Sequence, residues 1–337
     1  MTGEAKHGNI SIFVPLNGCP HRCSFCDQRS ITGKSRQPSV QDVHDAVKTA
    51  LSSKRQYEYE IAFFGGSFTA IGRDYMISLL EAAHTYVKSG EVIGIRLSTR
   101  PDAVDEEVLN ILKSYGVTAI ELGAQSLDDE VLSANGRGHT SKDVETASEL
   151  IKSFGFSLGL QMMTGLYKSS REKDIYTAEK IISLCPDTVR VYPTVTIKGT
   201  RLAELYESGE YKPQTLAESV DLCAVILEMF MENNIEVIRL GLHYSDELVR
   251  DAVFDNYHPA FRELCENKIM LKKFFVLCER YNISTGDRVK VHVHPSCVSK
   301  FVGQSKANVK AIAEKGIAAK AVADINVQPF ELIIDKE

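Results

Sequence analysis

Three thiols crowd into eight residues near the N-terminus, in the run Cys19-Pro-His-Arg-Cys23-Ser-Phe-Cys26. Thiolates are soft ligands, suited to zinc or to iron–sulfur clusters. A structural zinc site is closed by four ligands, usually two separated pairs. No second cysteine pair exists here, and His21, inside the run, would ligate only with strain. Three cysteines without an evident fourth ligand describe a metal centre with an open position, which catalysis needs and structural sites lack. The competing readings are a zinc site completed by a distant histidine, such as His139, and a redox pair.

The loop carrying these cysteines must be positioned by its neighbours. Residues 10–15 read as a short buried strand, and the cysteine run follows directly. Short apolar strands recur at 60–64, 93–98, 117–122, 157–163 and 188–192, with a further one at 236–240. Apolar residues at helical spacing mark 41–52, 74–88, 105–114, 141–154, 171–184 and 216–233. Such alternation is the mark of repeated βαβ units and a parallel sheet. Six units in a row predict an α/β fold, a partial (β/α)6 barrel of the TIM type, with chemistry at the C-terminal strand ends. A doubly wound open sheet satisfies the same pattern. The polar and glycine-rich segments fall at those ends: the cysteine loop, Gly65-Gly66-Ser67, Ser98-Thr99-Arg100 and Glu121 to Gln125.

A length of 337 residues suits one large domain, or one large and one small. With 44% apolar and 25% charged residues the chain is an ordinary globular protein. A net charge of −6 argues against nucleic-acid binding over the whole surface and leaves room for a local basic patch. No apolar run reaches the roughly 18 residues of a membrane span. Met1 to Asn9 is polar and lacks a signal-peptide core. A cytoplasmic protein without membrane partners is expected. Cys185, Cys223, Cys265, Cys278 and Cys297 are scattered, unlike the disulfide framework of a small secreted domain. Cys223, Cys278 and Cys297 are expected to be buried thiols.

The pattern changes past residue 255. His258-Pro259 and a helix over 264–281 form a connection, and residues 285–337 read as a small α+β domain: strand 288–294, helix 296–302, tight loop 303–306, helix 307–315, strand 321–334. The expected division is a barrel domain over 1–255, a helical connection over 256–284 and the small domain over 285–337. From Asp287 to Lys320 this domain holds Arg288 and six lysines against Asp287 and Glu314, a basic island on an acidic chain.

Cys-x3-Cys-x2-Cys, with aromatic Phe25 before the third cysteine, resembles the signature of the radical S-adenosylmethionine (SAM) superfamily. The resemblance implies a [4Fe–4S] cluster on Cys19, Cys23 and Cys26, with SAM on the fourth iron. In that family one electron from the cluster cleaves SAM into methionine and a 5′-deoxyadenosyl radical, which abstracts a hydrogen atom from the substrate. Phe64-Gly65-Gly66-Ser67 stands where the family's glycine pair receives the SAM amino group, with Ser67 in place of the usual acidic residue. Glycine there lets a backbone approach a ligand closely.

Glu121 to Ser126 and Gly136-Arg137-Gly138-His139-Thr140 resemble a narrower group, the radical SAM part of the Elongator catalytic subunit, and more distantly oxygen-independent coproporphyrinogen oxidase. So do Ser98 to Asp102, Gln161 to Leu166 and Tyr192 to Thr200. The resemblance implies that Gln125 and Arg137 orient SAM, an arginine fork being matched to a carboxylate. It implies that Ser98, Arg100 and Met163 belong to the SAM side, and that Tyr192 and Lys198 face substrate; His139 is a substrate residue, a support for the site or a structural residue. It does not extend to that subunit's acetyltransferase domain: the remaining chain is too short, and no glycine-rich acetyl-CoA loop is found.

Residues 289–295 and 302–310 resemble a KH domain, which clamps a single-stranded nucleic-acid backbone with a Gly-x-x-Gly loop between two helices. The loop here is Gly303-Gln304-Ser305-Lys306, without the second glycine. Lys300, Lys306 and Lys310 are the candidates for phosphate pairing. The reading is a radical SAM enzyme acting on RNA, a transfer RNA above all, with an electron donor such as flavodoxin or ferredoxin. The alternatives are radical chemistry on a small molecule or peptide, and a non-enzymatic iron–sulfur or zinc RNA-binding protein.

Overall fold

The computed structural model describes residues 6–15, 23–26, 36–53 and 57–337. Strand β1 (Lys6–Val14) is followed by α1 (Val40–Leu51), β2 (Tyr57–Gly65), α2 (Arg73–Lys88), β3 (Gly94–Thr99), α3 (Glu106–Ser114) and β4 (Val117–Gln125). Next come α4 (Asp129–Ala134), α5 (Ser141–Ser153), β5 (Ser157–Thr164), α6 (Arg171–Ser183), β6 (Thr188–Pro193), α7 (Arg201–Glu207), α8 (Leu216–Glu232) and β7 (Glu236–Leu240). The seven strands form one parallel sheet in the order β1-β2-β3-β4-β5-β6-β7. The expected six are therefore seven, because residues 236–240 pair with β6. Spatial order follows chain order without reversal, so the sheet is not doubly wound. Capping boxes start three of the covering helices, Ser39/Asp42 on α1, Thr140/Asp143 on α5 and Thr215/Glu218 on α8. Each satisfies two backbone donors that a helix start leaves open.

The pleat sorts each strand into two faces. Ile61, Phe63, Ile95, Leu97, Ile120, Leu122, Leu158, Leu160, Val189 and Val191 belong to the core packed beneath the helices. The alternate residues, among them Glu60, Arg96, Glu121, Gln161 and Arg190, stand on the opposite face. Glu121, 1% exposed, is their hub. It accepts from Arg190 Nε at 2.6 Å and Nη2 at 2.9 Å, from Gln161 Nε2 at 2.9 Å and from Arg96 Nη1 at 3.5 Å. Arg96 Nε also donates to Glu60 at 2.7 Å. The Arg190 guanidinium lies 5.0 Å from the centre of the Phe64 ring, on β2. Four strand spacings separate β2 from β6, about 19 Å in a flat sheet. The contact requires the sheet to curl, and the charged face is the concave face of a half-barrel.

Past β7 come α9 (Asp246–Asp251) and α10 (Phe261–Arg280), then β8 (Arg288–Val293), α11 (Val298–Val302), α12 (Ala307–Glu314), β9 (Ala318–Ala323) and β10 (Leu332–Lys336). Helix α10 serves two cores: Phe261, Cys265 and Ile269 join the barrel core, while Met270, Phe274 and Cys278 pack with Val289, Val291, Cys297 and Phe301. The small sheet has the order β10-β8-β9, with β8 parallel to β9 and antiparallel to β10. The single strand expected over 321–334 is two. The chain turns at Asp324, whose carboxylate accepts from the Asn326 N–H at 2.9 Å, and again near Pro329 and Phe330, where φ is 63°.

Cys223, Cys278 and Cys297 are buried as expected, and burial pushes the Cys223 thiol up to about 12 and Cys278 up to about 11. Among the described residues no helix is long and apolar enough to cross a membrane.

Removing the hub carboxylate would leave Arg190 buried without its anion and Arg96 with Glu60 alone. Glu121→Ala is expected to cost about 3–5 kcal/mol in urea unfolding. Lys142→Ala, which opens the exposed Lys142–Glu145 pair, leaves the midpoint unchanged. Equal effects of the two would refute the hub role.

Candidate active site at the strand ends

The cysteine loop follows the C-terminal end of β1. Cys19 lies outside the described residues. Cys23 and Cys26 share a turn, the Cys26 N–H donating to the Cys23 carbonyl at 3.1 Å. Ser24 between them is buried and anchors the loop. Its N–H donates to the Asn135 carbonyl at 3.0 Å, its hydroxyl to Asn135 Oδ1 at 2.6 Å, and its carbonyl accepts from the Leu202 N–H at 2.8 Å. Asn135, at the end of α4, donates its own amide to the carbonyls of Val131 and Tyr167 at 2.8 and 2.9 Å. Phe25 packs against the buried cluster of Leu202, Leu205 and Tyr211.

Two residues after Asn135, Arg137 reaches the same point. Its Nη1 donates to Cys23 Sγ at 3.0 Å and its Nη2 to the Gly123 carbonyl at 2.6 Å, with the guanidinium 5.9 Å from the Phe25 ring centre. Among the described residues, Arg137 Nε and Gln125 Oε1 are buried without partners. Gln125 has φ of 66°, next to an irregularity in the β4–β5 pairing. A Cβ at Gly123 would stand 3.0 Å from Gln125 Nε2 and 3.6 Å from Arg137 Nη2, so glycine makes the room for both. An open acceptor beside an open donor suits a ligand bearing both an ammonium and a carboxylate.

On the neighbouring strand end the Gly66 N–H donates to the Val14 carbonyl at 2.8 Å. Gly65 has φ of 114°, and a Cβ there would stand 3.0 Å from the Val14 oxygen. The Ser67 hydroxyl binds Thr99 Oγ1 at 3.0 Å and accepts from the Arg100 N–H at 2.9 Å, tying β2 to β3. Arg100 pairs with the Asp102 carboxylate and donates to the Arg137 carbonyl at 3.4 Å. Ser98 is buried, and Met163 and Tyr192 are half-buried on the concave parity of their strands. Lys198 is exposed and its N–H donates to the Asp251 carbonyl at 2.7 Å.

The remaining predicted residues lie on the small domain. Lys300 pairs with Glu266 at 3.1 Å and stands 4.4 Å from the Phe330 ring centre, against α10. Lys306 and Lys310 are exposed. Gly303 is required at its loop, because a Cβ would meet the Asn308 nitrogen at 2.8 Å. Lys306, at the position of the missing second glycine, adopts φ of 63°, the left-handed conformation that glycine adopts easily.

Sequence reasoning did not single out Ser24, Asn135 or the charged concave layer. The layer had a signal: β2, β3, β4, β6 and β7 each place a charged residue within or beside a short apolar run, in Glu60, Arg96, Glu121, Arg190 and Arg239. Ser24 and Asn135 had none, because their partners are distant in the chain.

The family model of the Radical SAM superfamily matches residues 13–181, and that of the Radical SAM C-terminal domain matches residues 186–270. The chain belongs to the radical SAM superfamily. It is accordingly a radical SAM enzyme, with a [4Fe–4S] cluster and SAM as cofactors. It is 36% identical over 252 residues to human Elongator complex protein 3, an alignment covering 66% of this chain and 46% of that protein. It is 26% identical over 294 residues to the tRNA uridine(34) acetyltransferase of Dehalococcoides mccartyi, covering 77% of this chain and 64% of the relative. The chain thus spans about half to two-thirds of these relatives' length. The solved structure of Methanocaldococcus infernus Elp3, lacking its N-terminal residues 1–46, shares the fold with a TM-score of 0.64 at 20% identity, covering 83% of this chain and 64% of that one.

His139 is buried beside this radical SAM site, its Nε2 3.3 Å from the Ala124 carbonyl. Desolvation first, and the Arg137 charge second, lower its pKa to about 4. The neutral ring is thus the native form at pH 7. Its contribution is fully present above the ordinary histidine value and is lost as pH falls toward 4. The shift from 6.5 to about 4 corresponds to about 3 kcal/mol. His139→Gln is expected to flatten stability against pH between 6.5 and 4, read by urea unfolding. An unchanged slope would assign the acid sensitivity elsewhere.

Proposed function

We propose that this radical SAM enzyme modifies a transfer RNA, with a barrel domain (1–255) for the radical chemistry, a helical connection (256–284) and a small domain (285–337) that holds RNA. The observation that carries the first half is the convergence of Cys23, Phe25, Gln125 and Arg137, with Arg137 Nε and Gln125 Oε1 left open. When bound, the cluster and SAM supply reductive cleavage to a 5′-deoxyadenosyl radical that takes a hydrogen atom from the substrate. Cys19, Cys23 and Cys26 hold the cluster. Arg137 pairs with the SAM carboxylate, and Gln125 Oε1 and the Gly65-Gly66 backbone receive its ammonium. Phe25, Ser98 and Met163 line the same side. Ser67 and Arg100 are positioning residues, since their polar atoms bind Thr99, Asp102 and the Arg137 carbonyl. Neutral His139, with Tyr192 and Lys198, faces substrate.

The RNA half is supported by the relatives, named for tRNA uridine(34) and Elongator, and by the exposed Lys306 and Lys310 of the small domain. Gly303 and Lys306 shape the loop, and Lys306 and Lys310 pair with phosphates. Lys300, paired with Glu266, acts in packing α10 against α11. A cytoplasmic setting and a flavodoxin or ferredoxin as donor complete the reading.

The test is an anaerobic assay for 5′-deoxyadenosine with reconstituted, reduced protein and SAM, with and without bulk tRNA. Formation that requires Cys23, tested as Cys23→Ala, and rises with tRNA is expected. Cleavage indifferent to tRNA would move the substrate to a small molecule or peptide, and no cleavage with an intact cluster would sink the enzyme reading. The double variant Lys306→Ala/Lys310→Ala should weaken tRNA binding and reduce its salt slope by about 2. An unchanged slope would remove these lysines from the RNA interface.

A further inference from the structure

The concave charged layer does not balance. Register places its members side by side: Ala62 with Arg96, Ser98 with Glu121, Gly123 with Gln161, Gln161 with Arg190, and Arg190 with Arg239. Arg96 and Arg190 are both held by Glu121, and Arg96 by Glu60 as well. Arg239 has no carboxylate partner among the described residues; its Nε donates to the Gly241 carbonyl at 2.9 Å. The β6–β7 register shifts between Val189 and Arg190, passing over Ile238 and aligning Arg239 with Arg190. Such irregularities re-aim a side chain near a site. Strand β7 is the last of the sheet, so Arg239 stands at the lateral opening of the half-barrel, among Arg190, Tyr192 and Tyr257.

A half-buried guanidinium beside a second arginine is electrostatically unfavourable without an anion. Burial, and the like charge of Arg190, lower the Arg239 pKa. The pKa of His243, just beyond β7, is lowered by desolvation and then by Arg239 and Arg190, so this histidine too sits in the positive field of the opening, where Arg190 is paired with Glu121 and Arg239 has no carboxylate partner among the described residues.

We infer that Arg239 binds an oxyanion of the substrate, a carboxylate or a phosphate, at the β7 edge of the half-barrel, where its planar fork holds the anion in two hydrogen bonds. The inference rests on the reading of the concave face as the substrate side. It gives the enzyme an anchor on the opposite sheet edge from the β1 cysteine loop, and it selects anionic substrates.

The test is phenylglyoxal labelling of the reconstituted wild-type holoenzyme, followed at Arg96, Arg190 and Arg239 by peptide mass spectrometry. Arg239 is expected to react at least tenfold faster than the two paired arginines. Labelling is repeated with inorganic phosphate, sodium acetate or bulk tRNA, each against sodium chloride at matched ionic strength. Protection by phosphate and tRNA assigns an RNA phosphate, by phosphate without tRNA a small phosphorylated molecule, and by acetate alone a carboxylate. Arg239 labelled no faster than Arg190, or protected no better by any of the three than by sodium chloride, would overturn the inference. SAM cleavage by unlabelled protein from the same preparation reports on the broader function, so the two can fail separately.

Discussion

A carboxylate buried to 1% exposure has to find its donors inside the protein, and Glu121 finds them on β3, β5 and β6. Burial alone would work against the Arg190 charge, but the paired carboxylate holds its pKa above the ordinary value. Ion pairs of this kind add little net stability, because desolvation offsets their attraction. Their effect is on geometry: each partner is costly to leave alone, so the strands that carry them must remain at the curvature that brings them together. The same guanidinium reaches Phe64 on β2, so one side chain spans most of the sheet's width. The concave face is therefore polar and rigid, fit for an oriented polar ligand.

The site at the strand ends depends on that curvature. The cysteine loop leaves β1, while Arg137 and Asn135 follow β4 and Leu202 opens α7. The curl brings these segments close enough for Ser24 to join Asn135 and Leu202. Arg137 then ties the Cys23 thiol to the Gly123 carbonyl, in space that the absent Cβ of Gly123 leaves open. Arg137 Nε and Gln125 Oε1, without partners among the described residues, are a local cost that a zwitterionic ligand removes, the expected condition of a pre-organised binding site.

The small domain is joined to the barrel by one helix with two apolar faces. Because α10 contributes Cys265 and Ile269 to one core and Met270 and Phe274 to the other, the two units share packed side chains, not only a linker. Its loop keeps the glycine conformation with lysine at position 306, at a backbone cost of about 1–2 kcal/mol. A positive charge held at the tip of a tight turn is a reason to carry that cost where the ligand is a phosphate.

Local chemistry made much of this legible in the sequence. Three soft thiols with an open fourth position announced a metal centre, and the alternation of short apolar strands with helical spacing announced a parallel α/β sheet. Both depend on residues within a few positions of one another. The C-terminal strand was misread as continuous because its turn rests on the Asp324 side chain and the left-handed Phe330, whose residue type does not announce that conformation. Lys300 reads as a surface cation until its partner Glu266 is in view. The tertiary structure alone decided how strongly the sheet curls, which residues hold the cysteine loop, and which arginine of the concave layer has no carboxylate partner among the described residues. Those features are pairings between residues tens to more than a hundred positions apart, and a one-dimensional pattern records the charges without recording which of them meet.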